Sequence, residues 1–299
     1  MRFPIRVTEM NKQEATLDPE LLSRRNKPIG LLAGWGRFPF CFAEKAKSLG
    51  IPVVCVGIRD EASPDLEKIV NRFYWTGLTR LGRMIRCFKR EGCEHIVMAG
   101  KVHKIKMHTP FRAIRLLPDW RFVKFWFSPE RKNNSDDSIL LGIIGEFAKD
   151  GMMFASALDL CPELLAKPGL LTKRAPSEKE RVDMEFGWEL AKEMGRLDVG
   201  QSVCIKEKAV LAVEAIEGTD QSIRRAGELC KRGNFVVVKV AKPQQDMRFD
   251  VPTVGVSTIE TMKQAGANVL AIEGEKTIVI DQDATIALAN RYGITIFAR

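Results

Sequence analysis

Histidine, paired cysteines and long apolar runs are what this chain has least of. Its three histidines, His95, His103 and His108, fall into no HExxH pattern and no Ser-His-Asp order, and no P-loop is present. Seven cysteines (Cys41, Cys55, Cys87, Cys93, Cys161, Cys204, Cys230) form no CxxC pair. Structural zinc, which wants closely spaced ligands, is therefore excluded. Several of these cysteines lie in apolar runs such as VVCVG and SVCIK and read as buried, reduced thiols. No uninterrupted apolar run approaches the ~18–20 residues of a membrane-spanning helix. With 23 glycines and 14 prolines, no low-complexity segment dominates, which excludes collagen-like and disordered chains. The stretch from Met1 to Lys27 is polar and mixed in charge, with no apolar signal core, so the expectation is a cytoplasmic protein.

What is present is an ordinary globular composition with an uneven charge. The 299 residues are 45% hydrophobic and 28% charged, enough for two domains. Net charge is +9, but between Lys101 and Lys132 nine Lys/Arg face only Asp119 and Glu130, so this stretch carries +7 and the other 267 residues carry +2. Six aromatics (Phe111, Trp120, Phe122, Phe125, Trp126, Phe127) interleave with those cations. Cations and rings together suit an anionic lipid surface. The same residue types serve a single-stranded nucleic-acid platform or a partly buried helix pair with a solvated basic face, although Pro118 argues against one continuous helix.

From Pro28 the chain alternates apolar strands with amphipathic helices. The expected strands are Ile29–Ala33, Pro52–Ile58, His95–Ala99 and Met152–Leu158. Helices are expected at Pro39–Leu49, around Thr79–Glu91, and at Ile139–Lys149, the last capped by Asp136-Asp137-Ser138. Alternation of this kind predicts a mostly parallel sheet with crossover helices. In the second half, Pro168-Gly-Leu-Leu reads as a connection and Pro176-Ser177 as the start of a helix near Glu178–Gly195. A hairpin follows at Val203–Ile205 and Val210–Val213, then a helix from Gln221 and a buried strand, Phe235–Val240. Helices at Thr258–Gln264 and Ala284–Tyr292 alternate with strands at Asn268–Ile272, Thr277–Ile280 and Ile294–Phe297.

Three places carry the chemistry. In the turn GWGRF, Gly34 and Gly36 allow close backbone approach to a ligand at a helix start, but the third glycine of GxGxxG is missing, so a dinucleotide fingerprint is weak. Asp60 follows the second strand where an acid holds ribose in dinucleotide sites. Thr219 or Asp220 reads either as an ordinary helix N-cap or as part of a site. The loop after the Phe235–Val240 strand gathers Lys242, Gln245, Asp246, Arg248 and Asp250, a concentration of both charge signs suited to phosphate beside a hard divalent cation.

The runs IGLLAGWGRFP (Ile29–Pro39), AGKV (Ala99–Val102), DDSILL (Asp136–Leu141), SVCIKEKAVLAVEAIEGTDQSIRRAG (Ser202–Gly227) and KPQQDMRFDVPTVGVST (Lys242–Thr258) occur in this order. Together they resemble the LpxI-type UDP-2,3-diacylglucosamine pyrophosphatase family from about Ile29 to Arg299. The EGTD and KPxQDxRxDxPxxG patterns are its specific part. One departure is Ser135, where the family often has glycine before its Asp-Asp pair.

The resemblance implies an α/β chain: an N-terminal extension (1–27), a Rossmann-like domain with a parallel sheet (28–165) and a mixed α/β catalytic domain (166–299), with the site between them. It implies Mg2+-dependent hydrolysis of UDP-2,3-diacylglucosamine to lipid X and UMP at the inner face of the cytoplasmic membrane, the contact being peripheral and transient. The family's metal-associated aspartate maps to Asp220. Lys242 and Arg248 are expected to clamp phosphate, with Thr219 and Gln245 beside them and Asp246 or Asp250 as a second metal-side carboxylate. Gly34, Gly36, Arg37, Lys101, Asp136 and Asp137 are the expected substrate-binding residues of the first domain. No nucleic-acid partner is expected, and a homodimer is left open. Two other readings compete: a nicotinamide-dependent oxidoreductase built on the first domain, and a non-catalytic module for anionic lipid or nucleic acid.

Overall fold

The computed structural model describes residues 27–102, 117–128 and 136–299. These form two compact units, one ending at Pro162 and one spanning Glu163–Arg299.

In the first unit, β1 (Ile29–Ala33), β2 (Val53–Ile58), β3 (Arg72–Thr76), β4 (His95–Ala99) and β5 (Met153–Ala155) form one sheet in the order β3-β2-β1-β4-β5. Every pairing is parallel. Strand β2, VVCVGI, is buried at all six positions, as expected of a central parallel strand covered on both faces. The crossovers include α1 (Phe38–Ser48), α2 (Leu81–Arg90), α3 (Trp120–Trp126) and α4 (Asp136–Ala148). On one face Leu81, Met84, Ile85 and Phe88 of α2 pack with Phe125, Phe147 and Phe154. This order reverses direction between β1 and β4, and that reversal point at the strands' carboxyl ends is where doubly wound sheets place ligands.

The second unit has a six-stranded mixed sheet in the order β6-β13-β11-β9-β7-β8. Its strands are β6 (Gly169–Leu170), β7 (Ser202–Lys206), β8 (Ala209–Val213), β9 (Phe235–Lys239), β11 (Ala267–Ile272) and β13 (Thr295–Ala298). Strands β9, β11 and β13 are parallel, and β6, β7 and β8 run antiparallel to their neighbours. A separate parallel pair joins β10 (Thr253–Val254) to β12 (Ile278–Val279). Helix α5 (Glu178–Arg196) covers one face through Met184, Ala191 and Met194. Helices α6 (Thr219–Leu229), α7 (Val256–Ala265) and α8 (Gln282–Tyr292) cover the other through Ile223, Ile259, Met262 and Ala289. The start of α5 is a capping box: the Ser177 hydroxyl accepts from the Glu180 N–H, while Glu180 accepts from the Ser177 N–H at 2.7 Å.

The two units therefore realise the expected α/β class, a parallel sheet beside a mixed one. Several local expectations are corrected. The strand predicted over Met152–Leu158 stops at Ala155 because Ser156 and Asp159 form a capping box that turns the chain into a 3-10 helix. Pro168-Gly-Leu-Leu is not only a connection: Gly169 and Leu170 pair with Ala298 and Phe297. Strand β3 has no counterpart in the sequence reading. Helix α4 begins at Asp136 itself rather than after an Asp-Asp-Ser cap. All seven cysteines are free, and burial pushes the Cys93 and Cys204 thiols up to about 12. No helix among the described residues is long and apolar enough to cross a membrane.

Candidate active site

At the carboxyl ends of β1 and β4 two glycine turns are zipped together. The Gly34 N–H donates to the Ala99 carbonyl at 2.9 Å, and Trp35 and Lys101 exchange N–H···O bonds of 2.7 and 2.9 Å. A Cβ on Gly34 would lie 2.5 Å from the Lys101 carbonyl oxygen. Gly34 is thus required by the close approach of its backbone to that of Lys101. Gly36, with φ +108°, faces open space. Arg37 is held bidentate by Glu44 at 2.8 and 2.9 Å and lies over the Phe40 ring. The Lys101 side chain is exposed. Asp136 and Asp137 open α4; their side chains lie outside the described residues. Asp60 follows β2 with φ +65°.

In the second unit the two specific motifs meet at one end of the mixed sheet. Strand β7 runs antiparallel to both β8 and β9, so Val213 and Lys239, the last residues of β8 and β9, flank its first residues, Val203 and Ser202. Beyond β8, Glu214 is buried and accepts from the Ser202 hydroxyl at 2.6 Å and from the Thr219 hydroxyl at 3.1 Å. On the other flank, Gln245 reaches Gln201 at 3.4 Å, and the Val240 N–H donates to the Gln201 carbonyl. Residues 201–202 thus join the turn that bears Thr219 and Asp220 to the loop that follows β9.

Asp220 is not an N-cap, which overturns the bland reading of that position. Gly218, at φ +83°, is the N-cap of α6, and no side chain caps the helix. Asp220 lies in the first turn, half-buried, and no hydrogen bond to its carboxylate is present among the described residues. A carboxylate there faces the positive end of the helix and is free to take another partner.

The loop is built of two tight turns. Gln245 Oε1 accepts from the Lys242 N–H at 2.8 Å, and Asp246 accepts from the Arg248 N–H and holds its guanidinium at 2.6–3.2 Å. Hydrogen bonding by that guanidinium keeps the Asp246 carboxyl below the usual carboxylate range, and the Arg248 guanidinium is raised in turn. The Lys242 ammonium is nearly buried, 2.6 Å from Asp198 and 4.0 Å from Asp250. The root of the loop is pinned by Glu273, which accepts from the Ala241 N–H at 2.9 Å, from Lys192 at 2.5 Å and from Lys276 at 2.9 Å. Burial works against the charged form of Glu273, but these donors prevail and its pKa is lowered.

Sequence reasoning named neither Asp198, Glu214 nor Glu273. Glu214 and Glu273 leave one visible signal, an acid directly beyond an apolar strand; Asp198, two residues past the charged helix α5, leaves none. Among the described residues no group of three or more His, Cys, Asp or Glu side chains is placed to hold a metal ion. With Asp246 chelated by Arg248, the donor set does not make a closed protein cage. It does fit Mg2+, which commonly takes one or two carboxylates and completes its shell with waters and phosphate oxygens.

The chain is thus a two-unit α/β protein with polar turns beyond strand ends in each unit, and in open parallel sheets the carboxyl ends of strands are where ligands bind. The LpxI N-terminal domain family matches residues 28–164 and the LpxI C-terminal domain family matches residues 167–297. The chain belongs to the LpxI family. A relative from Caulobacter vibrioides, named UDP-2,3-diacylglucosamine pyrophosphatase LpxI, is 32% identical over 280 residues, covering 90% of this chain and 96% of the relative. Among solved structures, the biotin carboxylase domain of Hydrogenobacter thermophilus 2-oxoglutarate carboxylase overlaps 68% of this chain and 41% of its own, at 14% identity and a TM-score of 0.25. The biotin carboxylase subunit of a pyruvate carboxylase overlaps equally, at 13% identity and the same score. At that level of overlap neither bears on the activity.

Proposed function

We propose that this chain hydrolyses the pyrophosphate bond of UDP-2,3-diacylglucosamine in a Mg2+-dependent reaction, releasing lipid X (2,3-diacylglucosamine 1-phosphate) and UMP. The observation that carries the reading is the meeting of the EGTD turn and the Lys242–Asp250 loop at one sheet end, within a chain that matches the LpxI family along both halves.

Hydrolysis adds water across one P–O bond: the water oxygen joins one phosphorus, the bridging oxygen leaves with the other, and a water proton is released. Charge builds on the phosphate oxygens, so preorganised cations supply much of the acceleration. Lys242 and Arg248 are the cations at hand. Each is neutralised by carboxylates in the free protein, Lys242 by Asp198 and Arg248 by Asp246. A diphosphate draws them by its higher charge, and the displaced acids remain beside it. Because Thr219 donates its proton to Glu214, its oxygen retains lone pairs to accept a hydrogen bond. Gln245 holds the Lys242 backbone in place. Asp220 is the group assigned to Mg2+ or to orienting water, since its carboxylate alone among these acids is unengaged. When bound, Mg2+ neutralises phosphate charge and lowers the pKa of its waters. Gly36, Lys101 and their neighbours at the β1/β4 reversal are assigned to substrate binding.

The test is to incubate the purified protein with UDP-2,3-diacylglucosamine and Mg2+. UMP and lipid X should appear in equal amounts, and chelation should stop their release. An intact substrate, or a nicotinamide absorbance change in its place, would refute the proposal.

A further inference from the structure

Within the basic-aromatic segment, the described residues 117–128 present an inner and an outer side. Helix α3 is fixed on the first unit by its inner side. Asp119 caps it by accepting from the Phe122 N–H at 3.0 Å, and the same carboxylate takes the Arg83 N–H of α2 at 3.0 Å. Arg121 clamps α3 onto α4: it donates to Glu146 Oε2 at 2.8 Å and to the Glu146 carbonyl at 2.7 Å, and it pairs with Asp150. Phe125 is fully buried against Gly142, where any Cβ would come within 2.4 Å of its ring. Phe122 stacks on Trp126 at 5.6 Å and meets Phe125 edge-on.

The outer side carries the remaining residues. Trp120 is 80% exposed and Phe127 is 82% exposed, while Lys124 is exposed between them. At about 100° per residue these three positions fall within an arc of roughly 60°, about 100–160° round the helix from Phe125. Leu117, just before the helix, is also exposed at 54%. Large rings this bare are unusual on a surface that meets only water. Exposed cations lie on the same pair of helices: Arg83 and Arg86 on the neighbouring α2, and Lys124 on α3 itself, while the nearby acids Glu146 and Asp150 are taken up by Arg121.

We infer that the outward face of α3, Trp120–Lys124–Phe127, is a docking surface for an anionic lipid bilayer. Its two rings enter the headgroup–acyl boundary, and Lys124, Arg83 and Arg86 meet anionic headgroups. Rings aligned on one side of a short helix with cations beside them is the pattern of interfacial attachment. A single-stranded nucleic acid would stack successive bases on accessible rings along a basic groove, and here Phe125 is buried and Phe122 packs against both it and Trp126. None of Trp120, Lys124, Phe127, Arg83 and Arg86 is among the residues assigned to hydrolysis, so the inference holds or fails independently of the proposed reaction.

The experiment is sedimentation of the full chain with vesicles of phosphatidylethanolamine and phosphatidylglycerol, set against vesicles of phosphatidylcholine alone and against a fluorescent single-stranded oligonucleotide. The wild type should bind the anionic vesicles in a salt-sensitive manner. Trp120→Ser/Phe127→Ser should weaken that binding by at least about tenfold, from the apolar area withdrawn from the boundary. Lys124→Ser should weaken it about fivefold. Thermal unfolding of all variants should match the wild type, because these side chains are exposed. Vesicle binding unchanged in the double variant, no binding by the wild type, or tighter binding to the oligonucleotide than to anionic vesicles would each overturn the inference. A double variant that melts markedly lower would also overturn it, since the rings would then belong to the core.

Discussion

Replacing Glu214 tests whether the joint between the two motifs of the second unit holds as described. Glu214 is 8% exposed, Ser202 1% and Thr219 4%, and both hydroxyls donate to its carboxylate. Glu214→Ala leaves two buried hydroxyls without an acceptor, each costing about 1–3 kcal/mol. Rotation of the hydroxyls toward other acceptors recovers part of that, so the expected loss is about 2–4 kcal/mol. Glu214→Gln keeps one acceptor oxygen and offers an amide N–H to the other hydroxyl oxygen, so its cost should stay below about 1.5 kcal/mol. Urea unfolding followed by circular dichroism measures both, read from the transition in which the second sheet melts. The ordering is the decisive result. If Ala costs less than about 0.5 kcal/mol, or if Gln is as harmful as Ala, Glu214 is not the acceptor that ties Ser202 to Thr219.

Gly34→Ala should destabilise the first unit by about 1–3 kcal/mol, because its Cβ would meet the Lys101 carbonyl at 2.5 Å; a neutral thermal melt would refute that close approach. The Asp246–Arg248 pair predicts a pH signature. Hydrogen bonding by Arg248 depresses the Asp246 pKa, so the pair's contribution is full above the ordinary carboxylate value of about 4 and is lost as pH falls through the depressed one. The stability difference between wild type and Arg248→Met should therefore shrink on acidification below about pH 4. At neutral pH it should stay under about 1 kcal/mol, because the pair is partly exposed. A difference that grows in acid would contradict the assignment.

The sequence made the central strands plain. IGLLA and VVCVGI are apolar runs stopped by glycine or a polar turn, and buried parallel strands leave that mark. Strand β3, RFYWT, was not legible because it is a half-exposed edge strand with a charged first residue. The run Met152–Leu158 misled because its apolar letters outweighed the Ser156–Asp159 cap. Motif residues could be listed from the sequence, but not their engagements. The partner of Lys242 is Asp198, 44 residues earlier, and Lys192 meets Glu273 across 81 residues. No local pattern specifies such pairs. That Asp220 is free was also hidden, since its freedom depends on Gly218 taking the cap with a positive φ.

The central claim is tested most directly by UMP release from UDP-2,3-diacylglucosamine with Mg2+, wild type beside Asp220→Asn. Asp220 makes no hydrogen bond among the described residues and is not a cap, so its loss withdraws only a helix-end charge worth about 0.3–1 kcal/mol. The account predicts UMP from the wild type, a fall of at least about a hundredfold in the variant, and nearly unchanged melting. A wild type that releases no UMP, or an Asp220→Asn protein that turns over at the wild-type rate, would contradict it.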